Sequence, residues 1–101
     1  MSVVVVVRIP GSPDSLESYA NGPGAEVMPR VAALGRSAGA TRHLFAGGDG
    51  EIVIVDEWPD EQSFQSFFNG QPEVADIMRD AGATGAPQIS VYRKLNTPDA
   101  F

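Results

Sequence analysis

The sequence predicts an α+β domain whose elements run β-α-β-β-α-β. Three observations carry this. First, the chain repeats itself in order: SLESYANG (15–22) is echoed by SFQSFFNG (63–70) and RSAGAT (36–41) by RDAGAT (79–84), with Glu26-Val27 and Glu73-Val74 lying between the members of each set. Internal similarity at this spacing marks a duplicated supersecondary unit. Second, each half opens on a β-branched run, VVVVVRIP (3–10) and EIVIVDEW (51–58). Such side chains favour strands because their restricted χ1 suits a pleated surface. Third, apolar residues recur at helical spacing within each half, as at Val74, Ile77, Met78 and Ala81.

The first strand, 3–10, ends at Pro-Gly, which cannot continue a ladder. Ser12 is placed to cap a helix that has Pro13 at its first position. Asn21-Gly22 and Asn69-Gly70 read as helix C-caps that divide each helical region in two. Pro29 is expected to restart the helix bearing Val31 and Leu34, and the segment GPG at 22–24 adds freedom to the first half alone. The second strand is expected over 41–47. GGDG (47–50) has the turn chemistry of a hairpin into the third strand, 51–58. Asp60 is placed to cap the helix carrying Phe64, Phe67 and Phe68, and Gly82 stops the stripe that follows. The fourth strand is expected over 87–95. Together these make a ferredoxin-like domain, a four-stranded antiparallel sheet with its helices on one face. It spans 1–95, with halves at about 3–47 and 51–95, and 96–101 form a C-terminal tail.

Composition narrows the chemistry. A 101-residue chain suffices for one core. The net charge is −6 with only seven Lys and Arg, so no basic stripe exists to neutralise nucleic-acid phosphates or to hold an anionic membrane surface. The absence of cysteine removes disulfides, thiolate nucleophiles and Cys-based zinc sites, and a single histidine argues against a multi-His metal centre. The apolar run 3–7 is too short for a signal-peptide core and Arg8 ends it, so a cytoplasmic protein is expected.

The strands also bear on assembly. A sheet covered on one face only should alternate apolar and polar residues. Residues 3–7 and 52–55 are apolar at both parities. Leaving such side chains in water forgoes about 1.5–3 kcal/mol each. A second copy of the sheet is the simplest cover, and two sheets packed face to face make a dimeric α/β barrel.

At this point the chain resembles the dimeric α/β-barrel superfamily, and within it the antibiotic-biosynthesis-monooxygenase-like members. The stretch DEWPDEQSFQSFF (56–68) carries the likeness: an acidic-Trp pair closes the third strand, an Asp/Glu-rich cap follows, and an aromatic stands six positions after the Trp. Glu57, Trp58, Asp60, Glu61 and Phe64 match. The resemblance implies a ligand site between sheet and helices. It further implies cofactor-free oxidation of an aromatic or polyketide-like small molecule. Haem-degrading members carry an Asn on strand one, a Trp on helix two and a His ten residues later. Here strand one reads VVVVVRI, and Phe67 and Ile77 stand near the other two positions, so that activity is not implied.

Several side chains then compete for roles. His43 is either a strand residue hydrogen-bonded to a neighbour or a general base, since only imidazole titrates unperturbed near neutrality. Trp58 is either a core aromatic or a ring at the pocket mouth. Phe67, which matches Tyr19 in the repeat, and Tyr92 are packing residues or pocket walls. Arg8, Asp56, Glu57 and Arg93 are charges late in strands: either ion-pair partners at the sheet rim or, in a semi-enclosed site, groups that orient a phenolate or carboxylate. Under the catalytic reading His43 is the base, Trp58, Phe67 and Tyr92 bind substrate, Arg8 pairs its anion, and neither metal nor organic cofactor takes part. The alternatives are a non-catalytic small-molecule-binding or stress-associated module, and an isomerase or cyclase on the same fold.

Overall fold

A computed structural model describes residues 2–101; Met1, the first residue of the expected domain, lies outside them. The elements are β1 (Val3–Pro10), α1 (Pro13–Ala20), α2 (Val27–Ser37), β2 (Arg42–Gly48), β3 (Glu51–Trp58), α3 (Glu61–Gly70), α4 (Pro72–Asp80) and β4 (Gln88–Arg93). The strands form one sheet in the order β2-β3-β1-β4, and every neighbouring pair is antiparallel. This is the expected ferredoxin-like topology, with each helical region broken in two. The fourth strand is shorter than expected at both ends.

The helix starts follow local chemistry. The Ser12 hydroxyl accepts from the Ser15 amide at 3.2 Å, and an Asp60 carboxylate oxygen accepts from the Ser63 amide at 2.7 Å. Each satisfies an amide that has no partner within its own helix. That amide hydrogen bond holds the Asp60 carboxyl below its usual value.

The helix breaks differ between the halves. Asn21 caps α1 as expected. Asn69-Gly70, by contrast, stays inside α3, and the break comes at Gln71 (φ −114°, ψ 94°). Pro72 explains the shift: its ring disfavours helical backbone at the preceding residue and suits the first position of a new helix.

The two RxAGAT segments do the same work. Gly39 and Gly82 adopt left-handed φ of 122° and 95°. The following amides, Ala40 and Ala83, reach back to Gly35 and Met78 carbonyls at 3.0 and 2.9 Å, the closing bond of a glycine-terminated helix. The next residues then cross over. The Thr41 amide donates to the Glu57 carbonyl at the end of β3, and the Thr84 amide to the Pro10 carbonyl at the end of β1, both at 2.9 Å. Each half is thus fastened to the other half's strand.

Strand parity sets the layers. Val5, Val7, Ile9, Ile52, Ile54 and Trp58 turn toward the helices and are buried, joined there by Leu16, Phe64 and Ala81. Burying each large side chain contributes about 1.5–3 kcal/mol. The opposite parity, Val4, Val6, Val53 and Val55, is only half-buried, and Leu44 and Tyr92 on the same face are exposed.

Candidate functional site

Between the sheet and its helices lies a cavity of about 100 Å³. Its floor comes from Val7, His43, Phe45, Ile54, Asp56 and Trp58 on β1, β2 and β3, and its roof from α2, α3 and α4. Phe64, Phe67 and Phe68 on α3 fill much of the roof. Trp58 meets the Phe64 and Phe67 rings at centroid distances of 5.9 and 5.5 Å, and Phe64 stacks on Phe68 at 5.3 Å. These separations suit attractive aromatic pairing. Gly35 on α2 faces the Phe67 ring: a Cβ there would sit 3.5 Å from its Cζ. Above the cavity Arg30 of α2 grips Glu73 of α4 through both guanidinium ends, at 3.0 and 2.5 Å. The grip holds the Glu73 carboxyl below its usual value. Exposed as it is, the pair fixes geometry more than it stabilises.

Among the described residues, the only ionisable side chains on the wall are His43 and Asp56. They are register partners on adjacent strands, and both point to the helix side. One Asp56 oxygen lies 2.7 Å from His43 Nδ1, and the other accepts from Trp58 Nε1 at 3.1 Å. Asp56 has 11% of its side chain exposed and His43 has 40%, so the carboxylate is interior and the imidazole stands at the rim. An indole N–H only donates. A carboxylate accepting on both oxygens assigns the proton of a neutral imidazole to Nδ1, which leaves Nε2 with a free lone pair. The Phe45 ring meets the imidazole edge-on at 5.2 Å and limits its rotation. Among the described residues no buried side-chain N or O lacks a hydrogen-bond partner, and no three His, Asp or Glu side chains gather as a metal would require. Likewise, none of the described helices is long and apolar enough to cross a membrane.

The cavity therefore brings together three of the five expected site residues: His43, Trp58 and Phe67. The alternatives for Trp58 merge, since it is 2% exposed and also lines the cavity. Arg8 and Tyr92 are elsewhere. Arg8 pairs with Val53 and Gln88, and Tyr92 with Val4, which puts both on the opposite face of the sheet. There the Arg8 guanidinium is bound to Glu51 at 2.7 Å and Tyr92 is 57% exposed. Their expected roles in this cavity are corrected by the register: a run of five valines gives no alternation from which its inward parity can be read. Asp56, for which the sequence leaves open a rim ion pair or an orienting group in a site, lines the cavity as the partner of His43. Its signal was parity, because it alternates with Ile52, Ile54 and Trp58. An acid at a buried parity needs a donor.

No protein-family model matches the chain, and no curated protein matches it in sequence. Solved structures do match in shape. A cofactor-independent oxygenase of Streptomyces nogalater, SnoaB, is 22% identical, with 98% of each chain covered and a TM-score of 0.63. A monooxygenase of Streptomyces coelicolor, solved with the ligand nanaomycin D, is 18% identical, with 97% of this chain and 93% of that one covered and a TM-score of 0.65. A Mycobacterium tuberculosis protein is 14% identical, with coverage of 98% and 100% and a TM-score of 0.63. Likenesses at this identity establish the fold, which is that of antibiotic-biosynthesis-monooxygenase-like structures.

Proposed function

We propose that the protein oxidises an electron-rich aromatic or polyketide-like small molecule in this cavity, with no metal or organic cofactor. One observation carries the reading: an apolar chamber whose only ionisable groups, among the described residues, are a rim imidazole and the carboxylate behind it. His43 is the base. Its Nε2 takes a proton from the substrate's O–H or activated C–H, while Asp56 holds the ring and stabilises the imidazolium that forms. The electron-rich anion then reduces dioxygen. One oxygen atom becomes a carbonyl of the product and the other leaves as water, so the substrate supplies all the electrons. Trp58 and Phe67 are the walls, and the shared fold with two oxygenases supports the assignment.

Two sheets meeting through their half-buried apolar faces would make the active form a homodimer, and the lack of cysteine suits a cytoplasmic setting. The test is oxygen uptake with phenol and anthrone probes after dialysis against a chelator. Uptake is expected to survive dialysis and to fall by about 10²-fold or more in His43→Ala. Undiminished uptake in that variant removes the base. A second reading, acid–base isomerisation or cyclisation, draws on the same His43–Asp56 pair, and turnover without oxygen uptake would select it.

A further inference from the structure

We infer that the cavity selects an uncharged, single-ring molecule with one acidic hydrogen, and that it turns away both carboxylates and polycyclic rings. This rests on reading the cavity as the ligand site and deepens that reading in two respects, size and charge.

Size is set by the side chains already inside. Apolar cavities of about 150 Å³ take up one benzene ring, whereas pockets for larger organic ligands run from about 300 Å³. The present volume is about 100 Å³. Met28 of α2 and Met78 of α4 both line it, and unbranched thioether chains yield readily, enough for one ring. A tricyclic would require displacing the Phe64, Phe67 and Phe68 cluster that packs on Trp58.

Charge is set by what the wall lacks. Among the described residues no Lys or Arg lines the cavity, and Arg8 is held by Glu51 on the far side of the sheet. A carboxylate entering would be desolvated with no Lys or Arg beside it, and the one imidazole on the wall already faces Asp56, whose two oxygens are engaged. A hydroxyl, by contrast, finds Nε2 of His43 as acceptor.

The experiment is titration of the full chain with p-cresol, p-toluate and anthrone, read by calorimetry and by emission of Trp58, the sole tryptophan. p-Cresol is expected to bind about tenfold or more tighter than p-toluate, since the charged ring loses its hydration without a partner. It is also expected to bind more tightly than anthrone. Phe67→Ala, which opens the roof, should then raise anthrone affinity above the parent's; Met78→Ala serves if that variant fails to fold. Equal binding of p-toluate, tighter binding of anthrone by the parent, or no binding of any probe overturns the inference. Oxygen uptake on the same samples separates the two claims. p-Cresol bound without uptake leaves the selectivity standing and removes the oxygenase, whereas rapid oxidation of anthrone by the parent does the reverse.

Discussion

The two faces of the sheet share a centre of valine and isoleucine and have different fates. On the helix side Ile52 and Ile54 are sealed, and a carboxylate is tolerated only because it accepts from an imidazole and an indole. On the other side Val53 and Val55 are half-buried, and the acid of that parity, Glu57, is served by the Thr41 hydroxyl at 3.0 Å and Lys94 at 3.3 Å. At their apolar centres, what separates the faces is cover more than composition. One face gets its cover from this chain and has a cavity; the other leaves its apolar centre half-buried.

Adjacent residues give the sharpest contrast. Ile52→Ala is expected to cost about 2–5 kcal/mol, and each kcal/mol lowers the melting temperature of a domain this size by about 4–8 °C. Val53→Ala, one residue along and on the other face, should cost clearly less in dilute solution. Equal losses measured by chemical denaturation would mean that the open face is covered even in the single chain. A smaller effect is expected from Val55→Lys, which sits between Val6 and Leu44. It should leave the circular dichroism intact and shift sedimentation from dimer to monomer. A parent protein already monomeric at about 100 µM, where standard-size interfaces are saturated, would remove the sheet-to-sheet pairing.

The smallest effect concerns acidity. The Thr41 hydrogen bond, with Lys94 adding to it, lowers the Glu57 carboxyl from its ordinary 4.5. A depressed carboxyl contributes stability that is present above its unfolded value and lost as pH falls through the folded one. Thr41→Ala should therefore be less stable than the parent at neutral pH, and the gap should close in acid. A gap that persists in acid would point to the lost backbone contact at Glu57 and away from its charge.

Much of this was legible in residues. The bounds of β1 and β3, the caps at Ser12 and Asp60, and the stop at Gly82 follow from local chemistry, which acts within a few positions of its cause. Which parity of the strands faces the helices was not legible. Neither parity of 3–7 is polar, so nothing along the strand tells which valines meet helices, and Arg8 and Tyr92 could not be assigned to a face. The break after α3 shows two local signals in conflict, where proline's steric demand prevailed over the habit of Asn-Gly to end a helix. The partnership of His43 with Asp56 needed the β2–β3 register, although the hairpin glycines at 47–50 were in plain view.

The crossed ties from Thr41 to Glu57 and from Thr84 to Pro10 bear on how the chain acquires its shape. Neither half holds the acceptor for its own closing amide, so no half can finish alone. Each tie closes a contact between residues distant in the chain, and such non-local contacts carry a loop-closure cost that local ones do not. A chain cut after residue 50 would close its own helices but lack the Glu57 carbonyl to which Thr41 donates.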